Sequence, residues 1–298
     1  MLSILIPTYN YNIEALVTEL HAQATACDID FEILCYDDGS TNLKILKSNN
    51  AINLFENTAY KVLKTNIGRS AIRNLLAKDA HYDLLLFLDA DVIPVKNDFI
   101  SKYLNSISDS IKIIYGGIRY QEENPKNTQL LRWVYGNKRE ALSVIKRNKD
   151  VYLSFLTLNF IIQKKVFNTV SFNEAIPNLR NEDTLFSYNL KQEKIPLAHI
   201  DNPVYHLGLE DSETFLKKSI ESQEAMNLFL EENLIDIKYT ALTKIFFRIK
   251  KIKLDHLFSM THPFTEKLFK INLLSKNPSL FIFDLYRLSY LCYIHKNK

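Results

Sequence analysis

Three short apolar runs, residues 2–6, 31–36 and 84–88, each stop abruptly at a polar cluster. The first leads into Pro-Thr-Tyr-Asn at 7–10, the second into Asp-Asp-Gly-Ser at 37–40, and the third into Asp-Ala-Asp at 89–91. Apolar runs of this length, broken by turn residues, read as buried strands. In open α/β sheets ligands sit beyond the carboxyl ends of the strands, so polar residues are expected to gather there. This repeated arrangement constrains the chain to a sheet whose strand ends converge on one site.

The rest of the first 117 residues fits that frame. Further strands are expected at 60–64 and 111–116, with helical patterns near 13–27, 43–48, 70–80 and 98–106. The β-α alternation predicts a mostly parallel central sheet flanked by helices, a Rossmann-like α/β class. From 118 to 210 the pattern is less regular. A helix is expected over 130–147, carrying the only tryptophan, Trp133, then a strand at 158–163, a helix at 183–192 and a strand at 197–200. A long amphipathic helix at 211–232 with Ser212 as its cap opens a helical tail, with further spacing around 242–250, 264–274 and 280–294. The expected organisation is a catalytic domain over 1–210, made of a nucleotide-binding half (1–117) and an acceptor half (118–210), and a helical C-terminal extension over 211–298.

Composition narrows the classes. Hydrophobic residues at 47% and charged residues at 24% suit a folded globular chain. Cys27, Cys35 and Cys292 fit neither a zinc spacing nor a disulfide framework, which favours a reducing, cytoplasmic compartment. No run of about 18 uncharged apolar residues reads as a membrane span. Charge is uneven: residues 238–298 hold twelve Lys and Arg against Asp255, Glu266 and Asp284, a net of +9, so the remainder carries −6 of the total +3. The basic, aromatic tail suits packing on the catalytic domain, with an added contact at an anionic membrane surface. No nucleic-acid recognition module is visible. The fingerprint G-x-G-x-x-G is also absent, against a dinucleotide enzyme.

Several residues have chemistry to offer. Asp89 and Asp91 leave a buried strand together, where two carboxylates are costly unless a cation neutralises them. Mg²⁺ or Mn²⁺ with shared phosphate oxygens would do so; the bland reading is an acidic turn before a helix. Asp38 can hydrogen-bond a base or ribose, or simply make a turn with Ser40. Arg69 and Arg73 lie at a helix N-terminus, suited to an anionic ligand, although one of them serves equally as a surface arginine. Glu182 and Asp183 open another helix, where the dipole favours acids in any case; as function, they offer a general base. His206 is either a further metal ligand or a structural histidine.

Taken together, Ile-Pro-Thr-Tyr-Asn at 6–10, Asp-Asp-Gly-Ser at 37–40, Asn-x-Gly and Ala-x-Arg-Asn within 66–74, Leu-Asp-Ala-Asp at 88–91 and Asn-Glu-Asp at 181–183 resemble family 2 of the glycosyltransferases. Each is weak alone, but five in order over residues 1–210 are specific. The resemblance implies a GT-A fold and an inverting transferase that moves a sugar from a nucleotide-sugar donor, UDP-linked by preference, to a hydroxyl of a glycan or lipid-linked acceptor. It implies nucleotide contacts from Pro7, Thr8, Tyr9, Asp38, Arg69, Arg73 and Asp89. Asp91 would be the principal metal ligand, with Asp89 and His206 beside it. Asp183 would be the base, with Glu182 next to it, and Trp133, Asn159 and Phe160 would lie on the acceptor side. It also implies work in polysaccharide or glycoconjugate synthesis; the cysteines add a cytoplasmic setting, and the basic tail an additional peripheral contact at the inner face of the membrane. Gln129-Leu-Leu-Arg132-Trp133 spells a signature of processive synthases, but it precedes Asp183 by 50 positions and comes without membrane spans, so it reads as coincidence. The alternatives are a sugar nucleotidyltransferase, which would need a Gly-rich basic loop after the first strand, and a non-catalytic nucleotide-sugar or glycan binder.

Overall fold

The structure, a computed structural model, describes residues 1–108, 110–123, 125–176 and 180–297. In chain order, β1 (Leu2–Thr8), α1 (Glu14–Ala26), β2 (Phe31–Asp37), α2 (Leu43–Asn50), β3 (Thr58–Val62), α3 (Arg69–Asp79) and β4 (Leu84–Leu88) realise the expected alternation. Then follow β5 (Val92–Pro94), α4 (Phe99–Ser106), β6 (Ile113–Tyr115), β7 (Ile118–Arg119), α5 (Leu130–Tyr135), α6 (Val144–Arg147), β8 (Asn159–Gln163), α7 (Lys164–Val170) and α8 (Glu182–Gln192). The chain closes with β9 (Leu197–His199), β10 (Val204–His206), α9 (Ser212–Glu231), α10 (Ala241–Lys251), α11 (Leu254–Leu273) and α12 (Leu280–Lys296).

These elements form two compact units. The first comprises residues 1–120, 141–178 and 182–208; the second comprises 121–140, 179–181 and 209–298. The segment 121–140, read from sequence as part of the acceptor half, thus groups with the tail.

In the first unit a seven-stranded sheet runs in the order β3-β2-β1-β4-β8-β6-β9. Only β8 is antiparallel to its neighbours, β4 and β6. The strand order reverses between β1 and β4, which both continue the same parallel array. In open α/β sheets ligands bind beyond the carboxyl ends of the strands at such a switch point. One apolar layer covers each face: Leu16, Val17 and Leu20 of α1 on one side, and Ile72 and Leu76 of α3 with Phe167 and Phe186 on the other. A smaller sheet, β5-β10-β7, was not anticipated. Its strands are two or three residues long, too short for periodicity to register.

The second unit is helical. Leu131, Leu216, Leu273, Phe283 and Tyr286 pack as one cluster, and Phe246, Leu288, Leu291 and Cys292 as another. Two expectations need correction. The helix expected over 130–147 ends at Tyr135, passes through a wide turn at Gly136–Glu140, and resumes only as α6. Arg147 explains the break: its buried guanidinium donates to the carbonyls of Tyr115, Gly116 and Ile200, tying α6 to the sheet of the first unit. The cap of α9 is Asp211, whose carboxylate accepts from Thr214 N at 2.8 Å, and not Ser212. α11 also begins ten residues earlier than the spacing around Phe264 suggested, running through Pro263.

Candidate active site

The polar strand ends are braced before they meet any ligand. Asp37 is fully buried and accepts from Ser40 N at 2.7 Å and from the Tyr60 hydroxyl at 2.7 Å. Asp38, expected to read a base, accepts from Ile67 N at 2.7 Å and Gly68 N at 3.0 Å. It thereby holds the turn that feeds α3. Gly39 makes that closeness possible: with φ +77° it sits where a Cβ would meet Asn66 N at 2.9 Å. Thr8 is buried and donates to the Tyr11 carbonyl, whereas Tyr9 stands half exposed beside it, and Pro7 is partly open.

At the end of β4, Asp89 Oδ1 accepts from Arg73 Nη2 at 2.8 Å. The same guanidinium reaches Glu182 Oε1 at 3.4 Å through Nη1, and Arg69 Nη1 lies 3.7 Å from Glu182 Oε2. Arg73 is only 6% exposed. It is therefore neither a surface arginine nor an open nucleotide contact, but a bridge between the Asp89 turn and the start of α8. Burial draws its pKa down, but Asp89 and Glu182 more than offset this and hold it above the ordinary value. Arg69, 39% exposed at its side chain, is the arginine with room for a ligand.

The carboxylates respond to crowding. Burial pushes Asp183 up to about 6, with the neighbouring Glu182 charge adding and the Thr184 N–H pulling back. Asp183 keeps part of its surface open, yet most of its surroundings are protein. Asp89 is raised as well: burial leads, Arg73 opposes it, and Asp91 and Glu182 add to it. Asp89, Glu182 and Asp183 thus form one electrostatic group around Arg73, and Asp91 acts on it through Asp89.

Asp91 turns toward His206 on β10, with Oδ2 3.4 Å from Nε2. Backbone pairing sets this approach: Leu207 N donates to the Asp91 carbonyl at 2.8 Å, and β10 runs against β5 with His206 opposite Val92. A Cβ on Gly208 would fall 2.1 Å from Asp91 Oδ2, so glycine leaves the Asp91 carboxylate room to turn toward His206. The residues suit a hard divalent cation. Donors side by side on an octahedral ion with bonds of ~2.1 Å stand about 3 Å apart, close to the observed separation. Among the described residues no three His, Cys, Asp or Glu side chains group as a metal cage. Oxygens from a ligand or water would have to complete the shell. Tyr11, which sequence reading did not single out, belongs here too: burial and the Asp91 charge raise its pKa.

The acceptor-side expectations fare differently. Asn159 is fully buried, its carboxamide donating to the Gly117 and Asn202 carbonyls and accepting from the Tyr103 hydroxyl. Phe160 is fully buried and stacks on Phe87. Both are spent on holding β8 in the sheet, so neither presents a surface to an acceptor. Trp133 belongs to the second unit, where its indole N–H donates to the Gln121 carbonyl at 3.0 Å.

A parallel sheet with a switch point, acidic residues beyond its strand ends and a helix that returns two more acids to the same place define a GT-A fold. The resemblance extends to known proteins. The chain belongs to glycosyl transferase family 2, whose family model matches residues 3–171. It is 24% identical over 196 residues to an uncharacterised glycosyltransferase of Haemophilus influenzae, covering 65% of this chain and 72% of that one. Among solved structures, S. aureus TarS 1-349 superposes with a TM-score of 0.51 at 21% identity, over 76% of this chain and 63% of that one. The Pyrobaculum calidifontis mannosyltransferase PcManGT, solved with GDP-Man and Mn²⁺, gives 0.55 at 11% identity, over 77% and 64%. This chain thus spans just under two thirds of each of those two structures.

Proposed function

We propose that this chain is an inverting glycosyltransferase that transfers a sugar from a nucleoside-diphosphate donor to an acceptor hydroxyl. The observation that carries the reading is Arg73, which joins Asp89 at the end of β4 to Glu182 at the start of α8. It brings a candidate base beside a candidate metal and diphosphate site, although 92 positions separate Asp91 from Asp183 in the chain.

In this reading Pro7, Tyr9 and the loop braced by Asp38 receive the nucleoside, and Arg69 faces the anionic donor. Asp91 and His206 would hold the divalent ion, Mg²⁺ or Mn²⁺, with Asp89 next to them. When bound, the ion offsets the charge that develops on the departing nucleoside diphosphate. Asp183 takes the proton from the acceptor hydroxyl as that oxygen attacks the anomeric carbon. One bond forms as the bond to the diphosphate breaks, so the configuration inverts. Glu182 keeps Asp183 basic enough for the task and is itself fixed by Arg69 and Arg73.

UDP is the favoured nucleotide. TarS 1-349 has been solved with UDP-GlcNAc and aligns over 99% of this chain at a TM-score of 0.50, while PcManGT, solved with GDP-Man, keeps GDP in view. The acceptor we propose is a glycan or lipid-linked oligosaccharide in cell-surface polysaccharide or glycoconjugate synthesis. Three free cysteines support a reducing, cytoplasmic setting. Asp183→Asn should preserve donor affinity and lower kcat by about 10²–10⁴-fold. Full turnover by that variant would remove Asp183 from the role.

A further inference from the structure

α11 is apolar on both sides. Its side toward the rest of the helical unit carries Phe258, Phe269 and Leu273 together with the buried polar groups Asp255, Ser259 and His262, all under 9% exposed. Asp255 is paired there with Lys296 at 3.1 Å, and His262 meets the Ser289 hydroxyl at 2.9 Å. The opposite side carries Leu257, Met260, Phe264, Leu268 and Ile271, between 56% and 80% exposed. At 100° per residue these five fall within about 80° of arc and about 21 Å of helix length. Scattered exposed apolar side chains are ordinary, but a continuous stripe of this length marks a contact surface.

The surrounding charge selects the partner. Residues 241–281 hold eight Lys and Arg against Asp255 and Glu266, a net of +6. Asp255 is buried against Lys296, and Glu266 is paired with Lys270 at 2.6 Å. Lys251, Lys253 and Lys267 lie exposed along or beside the stripe, and exposed Ile252 and Leu254 continue its apolar character toward α10. A second copy of this chain would bring the same positive field against it, so charge disfavours self-association. An apolar stripe rimmed by lysines matches an anionic lipid surface, with the side chains entering the acyl boundary and the ammonium groups at the headgroups. No helix among the described residues is long and apolar enough to cross a membrane.

We propose that the exposed face of α11, with the lysines beside it, is a docking surface for an anionic lipid bilayer. This goes beyond the membrane contact read from sequence for the basic, aromatic tail as a whole, because it assigns the contact to the outward apolar face of α11.

The full-length protein is co-sedimented with phosphatidylcholine vesicles and with vesicles containing about one third phosphatidylglycerol, at low and high salt. Binding is expected to the anionic vesicles only, falling steeply as salt rises. Phe264→Asp combined with Leu268→Asp should lower the partition coefficient at least tenfold, and Lys251→Glu combined with Lys253→Glu should do so at low salt. All four positions are exposed, so the melting temperature should stay close to that of the parent, which separates lost docking from lost folding. Phe264→Trp provides an independent reading, since its fluorescence should be quenched by brominated lipid only in anionic vesicles. Equal partition of parent and aspartate variant overturns the proposal. So does a stable dimer in solution that the same variant dissolves, since the stripe would then be covered by a second copy. Neither measurement requires donor or turnover, so its outcome is independent of the transferase reading.

Discussion

Arg73 faces Asp89 on one side and Glu182 on the other, at 2.8 and 3.4 Å, and the carboxyl next in sequence, Asp183, is raised by burial and by Glu182, with Arg73 opposing. Asp183 acts as a base only when ionised, so kcat/KM should fall as pH drops through its pKa. Burial and Glu182 push that value to about 6. The acid limb of the profile should therefore stand about two units above an ordinary aspartate at ~3.9, and it belongs to the Glu182–Asp183 pair. Glu182→Gln removes the neighbouring charge, so the limb should move to lower pH; a limb that stays in place contradicts the assignment. Gly208 offers a second test at this scale. Its φ is not in the left-handed region, so alanine costs little in the backbone, but its Cβ would lie 2.1 Å from Asp91 Oδ2 and 2.9 Å from Cγ. Asp91 must then swing away from His206. Gly208→Ala should weaken Mn²⁺-dependent donor binding at least tenfold, read by calorimetric titration, while the melting temperature changes by only a few degrees.

Between elements, the contact that matters joins α3 to α8 across 109 positions. Breaking a buried ion pair by removing one partner costs about 3–5 kcal/mol. Arg73→Gln should accordingly lower the unfolding free energy by about 3 kcal/mol in urea titration. Arg73→Lys should recover only part of this, because one ammonium cannot span Asp89 and Glu182 as a planar guanidinium does. Unchanged stability in Arg73→Gln would show the bridge to be idle. The strands and helices of the first half were legible in the sequence, because apolar runs and their polar ends are local signals; β4 begins and ends where its apolar run does. The Arg73 bridge was not legible, since no local pattern ties residue 73 to 182. Nor was the break after Tyr135, which depends on Arg147 reaching carbonyls of distant strands. For α11 the sequence showed helical spacing only around 264–274 and could not tell which side its neighbours cover. Asn159 and Phe160 were placed correctly on a strand, but sequence could not show that their side chains face the interior.

Over the whole molecule, the proposed transferase site lies in the first compact unit and the proposed lipid-docking face in the second. The matched family region, 3–171, supplies six of the seven strands of the large sheet and Asp91, but it ends before β9, Glu182, Asp183 and His206. All three of these site residues were named from the sequence; in the structure Glu182 contacts Arg69 and Arg73, with Asp183 next to it in the chain, and β10 brings His206 to Asp91. The second unit carries the basic charge and the outward stripe of α11. The account rests on one divalent ion and one diphosphate sharing the acidic crevice, and ligand-induced stabilisation reads this directly, growing with the logarithm of free ligand. UDP, GDP and dTDP are titrated with and without Mn²⁺ while the melting temperature is followed in the parent, Asp91→Asn and Asp183→Asn. One nucleotide should stabilise the parent and Asp183→Asn only when Mn²⁺ is present, and should leave Asp91→Asn unmoved. Stabilisation indifferent to Mn²⁺, or equal in Asp91→Asn, would contradict the shared site.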